Sequence, residues 1–177
     1  MDGYILALNA GSSSLRLGAY DCSGSIASGT SENLSPAPVP NPRVLTTYAQ
    51  SRSLGRPRLV VHRVVHGGLE LTEPKIVDGP VEEQIRRMEK FAPLHNSVAL
   101  EWIAAAREAF DPETAHLACF DSALYKDMPT HASQYALPRV LCEKYGIRRY
   151  GFHGLAHQSM LRQWSAECGK RGQQRVI

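Results

Sequence analysis

Tyr4-Ile-Leu-Ala-Leu-Asn-Ala-Gly-Ser-Ser-Ser-Leu-Arg-Leu-Gly-Ala-Tyr20 is the stretch whose reading decides the fold. An apolar run from Tyr4 to Leu8 stops at Asn9. A second run then alternates, with Leu15, Leu17 and Ala19 on one side and Arg16, Gly18 and Tyr20 on the other. An apolar run, a tight polar turn and an alternating run predict a β-hairpin. The turn, Asn9 to Ser14, holds one amide, one glycine and three hydroxyls without a charge. Small donors around a glycine suit phosphate oxygens. They equally suit a plain polar turn. The stretch lacks the Gly-Lys-Ser/Thr of a Walker loop.

Working outward, Ser25 to Thr30 reads as a third strand, which makes a three-stranded antiparallel meander. Residues 31 to 43 carry Pro36, Pro38, Pro40 and Pro42 and read as a loop, because proline at alternate positions opposes both helix and central strand. A short helix is predicted over 44–54. Arg58 to His66 is valine-rich and nearly continuously apolar, as expected of a strand buried on both faces. Arg63 inside it needs either a cleft at the strand end or a carboxylate partner, and Gly67-Gly68 just beyond favours the cleft. A short strand over Lys75–Val77, a helix over Val81–Phe91, a loop over Ala92–Ser97 and a helix over Val98–Phe110 capped by Asn96 or Ser97 follow. Thr114 to Phe120 reads as another buried strand with Asp121 at its C-terminal end. Ser122 to Met128 reads as a short turn or helix stopped by Pro129. Further helices are expected after Pro138 and over Leu155–Cys168, with Met160, Leu161 and Trp164 on one face. Arg175-Val-Ile177 reads as the start of another strand. The order predicts an α/β domain with a mixed sheet covered by helices. Asn9, Arg63 and Asp121 then meet in one crevice if their strand ends share an edge.

Composition narrows the classes. The 177 residues are 43% hydrophobic and 21% charged, with a net charge of +3. That describes one ordinary globular domain or one lobe of something larger. A weak positive charge without a Lys/Arg block argues against nucleic acid. No membrane span or signal peptide is visible, so a cytoplasmic location is expected. Cys22, Cys119, Cys142 and Cys168 form no Cys-x-x-Cys, so reduced thiols, mostly in the core, are expected.

Chemistry concentrates in a few side chains. The forked guanidinium of Arg63 matches phosphate or carboxylate oxygens. Asp121 suits Mg²⁺ held through water, the positioning of a nucleophile, or a helix N-cap. His62 and His66 lie about 13 Å apart if both are in a strand, too far for one ion. His153 and His157 have i, i+4 spacing but no intervening Glu, so zinc is a weak reading. An anion at the helix start and a structural histidine remain open for His153, and His95 has the same structural alternative.

Six ordered motifs raise the specificity: Asn9-Ala-Gly-Ser-Ser-Ser-Leu-Arg16, His62-Arg-Val-Val-His-Gly-Gly68, Ala92-Pro-Leu-His-Asn96, Phe120-Asp-Ser-Ala123, Tyr135-Ala-Leu-Pro138 and Tyr145-Gly-Ile-Arg-Arg-Tyr-Gly-Phe-His-Gly154. Together they resemble the N-terminal half of the acetate and butyrate kinase family, from about residue 4 to the chain end. The resemblance implies an actin-like ATPase (ribonuclease H-like) domain with helices on both faces of its sheet. It implies reversible transfer of the ATP γ-phosphate to acetate with Mg²⁺ (or Mn²⁺), giving acetyl phosphate. Carried over, Arg63 binds carboxylate and phosphoryl group, Asp121 positions substrate or metal-bound water, and His153 contacts the phosphoryl oxygens. Val65, Leu94 and Phe152 line the acyl pocket with Arg63. Asn9, Ser12, Ser14, Arg16, His95 and His157 lie on the phosphate and ATP side, with Asn9 beside the metal.

Departures accompany the match. The family usually has Lys at Arg16, Thr-Ala-Phe-His where Ser122-Ala-Leu-Tyr125 stands, and Thr-Ser where Leu155-Ala156 stands. Leu69 is an extra residue before the glutamate that usually follows Gly-Gly. A full member is over twice as long, and the half not matched carries the nucleotide loops, a second arginine and a Mg²⁺-binding glutamate. Residues 1–177 are therefore expected to form a single N-terminal domain, inactive alone, from a homodimeric enzyme. A propionate or butyrate kinase lobe, a non-catalytic binding module and a zinc hydrolase are the rival readings.

Overall fold

The computed structural model describes residues 3–11, 13–21 and 28–168. Strands β1 (Tyr4–Ala10), β2 (Leu15–Asp21) and β3 (Ser28–Leu34) form the antiparallel meander, followed by helix α1 (Pro42–Gln50). Strand β4 (Pro57–Val64) and the short β5 (Lys75–Ile76) precede α2 (Gly79–Arg87) and α3 (Pro93–Ala109). Strand β6 (Ala115–Phe120) then runs into a 3₁₀ turn, Asp121–Tyr125, and three helices: α4 (Thr130–Ser133), α5 (Arg139–Tyr145) and α6 (Gly154–Cys168). The sheet order is β3-β2-β1-β4-β6-β5. Strands β1, β4 and β6 are parallel, and the flanking pairs are antiparallel. This is the mixed α/β sheet that the opening hairpin predicts.

Alternation along the strands sorts the sheet into two faces. Tyr4, Leu6, Leu8, Leu15, Leu17 and Val60 point to one side, where Leu45 and Tyr48 of α1 and Trp102 and Ala106 of α3 close a core. Val64, Ala118 and Phe120 continue it towards Ile85 of α2 and Leu100 and Ile103 of α3. Asn9 and Arg16 are register partners. One residue out of phase with the core, they sit on the opposite face, as do Arg63 and Cys119. The core phase of β1, β4 and β6 thereby delivers a polar residue to the other face at each strand end.

Several boundaries differ from the expectation. Strand β3 extends to Leu34, into the expected loop, because an edge strand needs partners on one side only and tolerates Ser31, Glu32 and Asn33; the first part of the expected strand, residues 25–27, lies outside the described residues. Helix α1 starts earlier, at Pro42, because Asn41 caps it by accepting from Arg43 N at 2.9 Å. Helix α2 starts at Gly79, where the Asp78 side chain accepts from Val81 N at 2.9 Å, and ends at Arg87 rather than Phe91.

The expected loop at 92–97 is the first turn of α3. Pro93 occupies the first helical position, where its missing N–H costs nothing, and neither Asn96 nor Ser97 caps. The four-residue α4 is not foreseen. Met160, Leu161 and Trp164 of α6 are exposed rather than packed. Cys119, Cys142 and Cys168 are free thiols, half-buried rather than in the core; Cys22 and the expected strand at Arg175–Ile177 lie outside the described residues. No helix among the described residues is long and apolar enough to cross a membrane.

Candidate functional site

Arg63 is the centre of the candidate site. Near the end of β4 it forks onto one carboxylate oxygen of Asp121, with Nε at 3.1 Å and Nη2 at 2.6 Å. Its third nitrogen, Nη1, donates to Asn9 Oδ1 at 3.0 Å. Asp121 is 1% exposed and the Arg63 side chain 20%. The two explanations offered for Arg63 therefore hold together: a carboxylate pairs with it, and its strand end opens on a cleft. The N-cap alternative for Asp121 fails, because Phe120 holds the cap position without a side-chain bond and the Asp121 carboxylate is turned to Arg63.

The cleft beside Arg63 is lined by Val65, Phe91, Pro93, Leu94, His95, Phe152 and His153. Four predicted apolar and cationic pocket residues (Arg63, Val65, Leu94 and Phe152) thus share one cavity with His95 and His153. It is apolar at one end and basic at the other, a shape that takes a short carboxylate by its oxygens and shelters its alkyl end. Asn9 and Asp121 join the wall through Arg63. Gly11 N donates to Ser14 O at 2.8 Å, so the turn after β1 is tight. Arg16 lies across from Asn9 and is exposed. Ser12 lies outside the described residues.

Two arrangements, not foreseen from sequence, hold this cleft together. Asn96, fully buried, accepts from His66 N at 3.1 Å and donates to His66 O at 2.9 Å and Ile85 O at 3.2 Å. It ties the first turn of α3, with Leu94 and His95, to the end of β4. The His66 ring, whose pKa burial pushes down, accepts from Gly68 N at 3.0 Å and packs against Phe91, Tyr150 and Phe152. It therefore backs the apolar wall. Gly68, at φ +68°, makes the turn that brings its N–H to that ring.

On the other side, α6 sits against the 3₁₀ turn. A Cβ on Gly154 would lie 2.1 Å from the Asp121 carbonyl oxygen, so only glycine permits α6 to start this close to the 3₁₀ turn. His153 itself has φ +58°. His157 stacks edge-on to it with ring centroids 6.5 Å apart. Among the described residues no three His, Cys, Asp or Glu side chains gather as a metal site, and the zinc reading loses its footing. His62 faces the core instead, where its Nε2 lies 3.1 Å from His116 Nδ1.

Mg²⁺ bound with a nucleotide keeps several waters and asks the protein for one or two oxygens. Asn9 and Asp121 offer an amide and a carboxylate around Arg63, a donor set that fits such a partial shell.

A family model described as the acetokinase family matches residues 42–176. Acetate kinase of Chloroherpeton thalassium is 48% identical over 99 residues, 56% of this chain and 24% of that protein. Acetate kinase of Methanosarcina acetivorans is 42% identical over 119 residues, 67% of this chain and 29% of that protein. In three dimensions the chain resembles a propionate kinase from Francisella tularensis, with TM-score 0.78 and 26% identity, covering 94% of this chain and 49% of that one. The chain thus spans about half the length of the solved relative that it matches.

Proposed function

The chain belongs to the acetokinase family, and from that membership we propose that residues 1–177 form the carboxylate-side domain of an acetate kinase. In this reading ATP and acetate give ADP and acetyl phosphate, reversibly. The observation that carries it is the Arg63 guanidinium, held by buried Asp121 and by Asn9 at the basic end of a cleft whose other walls are Val65, Leu94 and Phe152. Phosphoryl transfer asks a protein chiefly for positioning and for positive or donor groups around the moving group.

Arg63 orients the acetate carboxylate, and the apolar walls hold its methyl group away from water. His153 faces the phosphoryl oxygens, and His95, His157, Ser14 and Arg16 lie on the phosphate and ATP side. Asn9, with Asp121 through water, would hold Mg²⁺ or Mn²⁺, which when bound with ATP neutralises phosphate charge. The nucleotide side of the clamp belongs to the part of the relatives that this chain does not match, so the domain is inactive alone. The full-length enzyme is a cytoplasmic homodimer in this reading.

The test is reconstitution. The chain is mixed with the nucleotide-side half of a family member, and acetyl phosphate is trapped as the hydroxamate. Product should require both halves and Mg²⁺, and Arg63→Leu should lower the rate by about 100-fold or more. Turnover by the chain alone would sink the half-clamp reading. Calorimetry is the independent arm: weak acetate and phosphate binding, lost in Arg63→Leu, supports the reading, and its absence in the unaltered chain counts against it. Acetate and propionate, which differ by one methylene, should differ in kcat/KM by about 10-fold or more.

A further inference from the structure

Tyr125 bridges the two segments that carry the site histidines. Its hydroxyl lies 3.0 Å from the Phe152 carbonyl oxygen and 2.6 Å from His157 Nδ1. A carbonyl can only accept, so the phenol proton goes to Phe152 O. The phenol oxygen is then an acceptor, and His157 must donate from Nδ1. The neutral His157 ring is thereby held as the Nδ1–H tautomer, with Nε2 left as its one open lone pair.

The same hydroxyl holds the plane of the Phe152–His153 peptide. That peptide immediately precedes the positive φ of His153 (+58°), a region that non-glycine residues seldom occupy. From the other side, His157 N donates to His153 O at 2.9 Å. His153 is thus pinned by the carbonyl before it and by its own carbonyl. The loop is also cut to fit the tyrosine. A Cβ on Gly151 would lie 2.2 Å from the Tyr125 ring, so the ring crosses the chain where a side chain is missing.

We infer that Tyr125 is a positioning residue of the phosphoryl site, which selects the His157 tautomer and fixes the backbone that presents His153. The inference rests on the kinase reading for what those histidines face, but not for the contacts themselves. In operation, His157 meets solvent or substrate through Nε2 only.

Long-range ¹⁵N–¹H spectra of the 177-residue chain, at a pH where His157 is neutral, decide the matter. The expected pattern for His157 is a protonated Nδ1 and a bare Nε2. Tyr125→Phe keeps the ring against Gly151 and removes both hydrogen bonds. It should turn the His157 pattern towards Nε2–H and shift the Phe152 and His153 amide signals, while the buried His62 and His116 signals stay in place. A second variant, Gly151→Ala, displaces the ring and should have the same effect on His157. An Nε2–H pattern in the unaltered chain, or an unchanged tautomer in Tyr125→Phe, overturns the assignment.

Titration with inorganic phosphate separates the two readings. Tyr125→Phe should weaken the response of the His153 amide by about 2- to 10-fold, the worth of one or two ordinary hydrogen bonds. A complete lack of response in the unaltered chain would overturn the phosphoryl-site reading, and the tautomer result would still decide the role of Tyr125.

Discussion

Buried beside His116, with one ring nitrogen bonded across the sheet and Nδ1 without a partner, His62 stays neutral in the fold. Burial, then the neighbouring His116 and the Arg107 charge, hold its pKa down at about 3; the same burial and Arg107 hold His116 at about 4. An unfolded chain titrates these rings near pH 6.5. Between that value and the folded pKa values the unfolded state binds protons that the fold refuses. Stability therefore rises with pH across this window, and above it the pair contributes no pH dependence. The slope is about 1.4 kcal/mol per pH unit for a ring such as His62. Urea midpoints at pH 7 and pH 5 should differ accordingly, and His62→Leu should flatten that difference; an equal slope in the variant would refute the account. Sequence spacing set this histidine apart from His66, yet could not name His116, which is 54 positions away. Arg63 posed the same kind of question. Its charge inside an apolar strand was visible, whereas Asp121, 58 positions on, became its partner only through the parallel register of β4 and β6.

Helix α3 is where local signals and tertiary structure part company. Pro-Leu-His-Asn reads as a loop, since proline, histidine and asparagine all favour irregular chain. Tertiary bonds decide otherwise. The asparagine turns inward and satisfies His66 N and His66 O, and adds a second bond to Ile85 O, which also accepts from Met88 N. The meander was legible because its alternation of apolar and polar residues depends on nothing distant. The start of α3 was not, because it is fixed from outside the helix. Replacing Asn96 with leucine should leave His66 N and His66 O unpaired, at a cost of about 2–4 kcal/mol. Urea denaturation should show a lower midpoint with an unchanged slope. Because the same bonds seat Leu94 and His95 at the cleft, the proposed acetate binding should weaken in the variant even under conditions where it is fully folded. A loss below about 0.5 kcal/mol would mean that water replaces the amide.

At the scale of the molecule the cleft joins two unequal parts. Asn9 and Arg63 stand on strands, and Asp121 directly follows β6, in a sheet whose core side is closed by Leu45, Trp102 and Ile85. His153 immediately precedes α6 and His157 stands on it; this helix buries only Gly154, and α5 buries no residue. A helix with no buried face draws little stability from packing, and short helices are marginal in water by themselves. The order of opening follows. Amides of α5 and α6 should exchange with solvent deuterium through local opening, at free energies well below that of the whole domain. Amides of β1, β4 and β6 should exchange only with global unfolding. Half of the proposed phosphoryl clamp is then rigid in the isolated chain, and the histidine half, though held by its local bonds, opens more readily until a partner surface or a ligand covers it. Mixing with the nucleotide-side half of a relative should slow exchange in α6 by at least about 10-fold, while β4 stays as it was, because an interaction that favours the closed helix by about 1.4 kcal/mol changes its opening constant by that factor. Equal protection of α6 and β4 in the chain alone would contradict this division and would place the histidines on the rigid side from the outset.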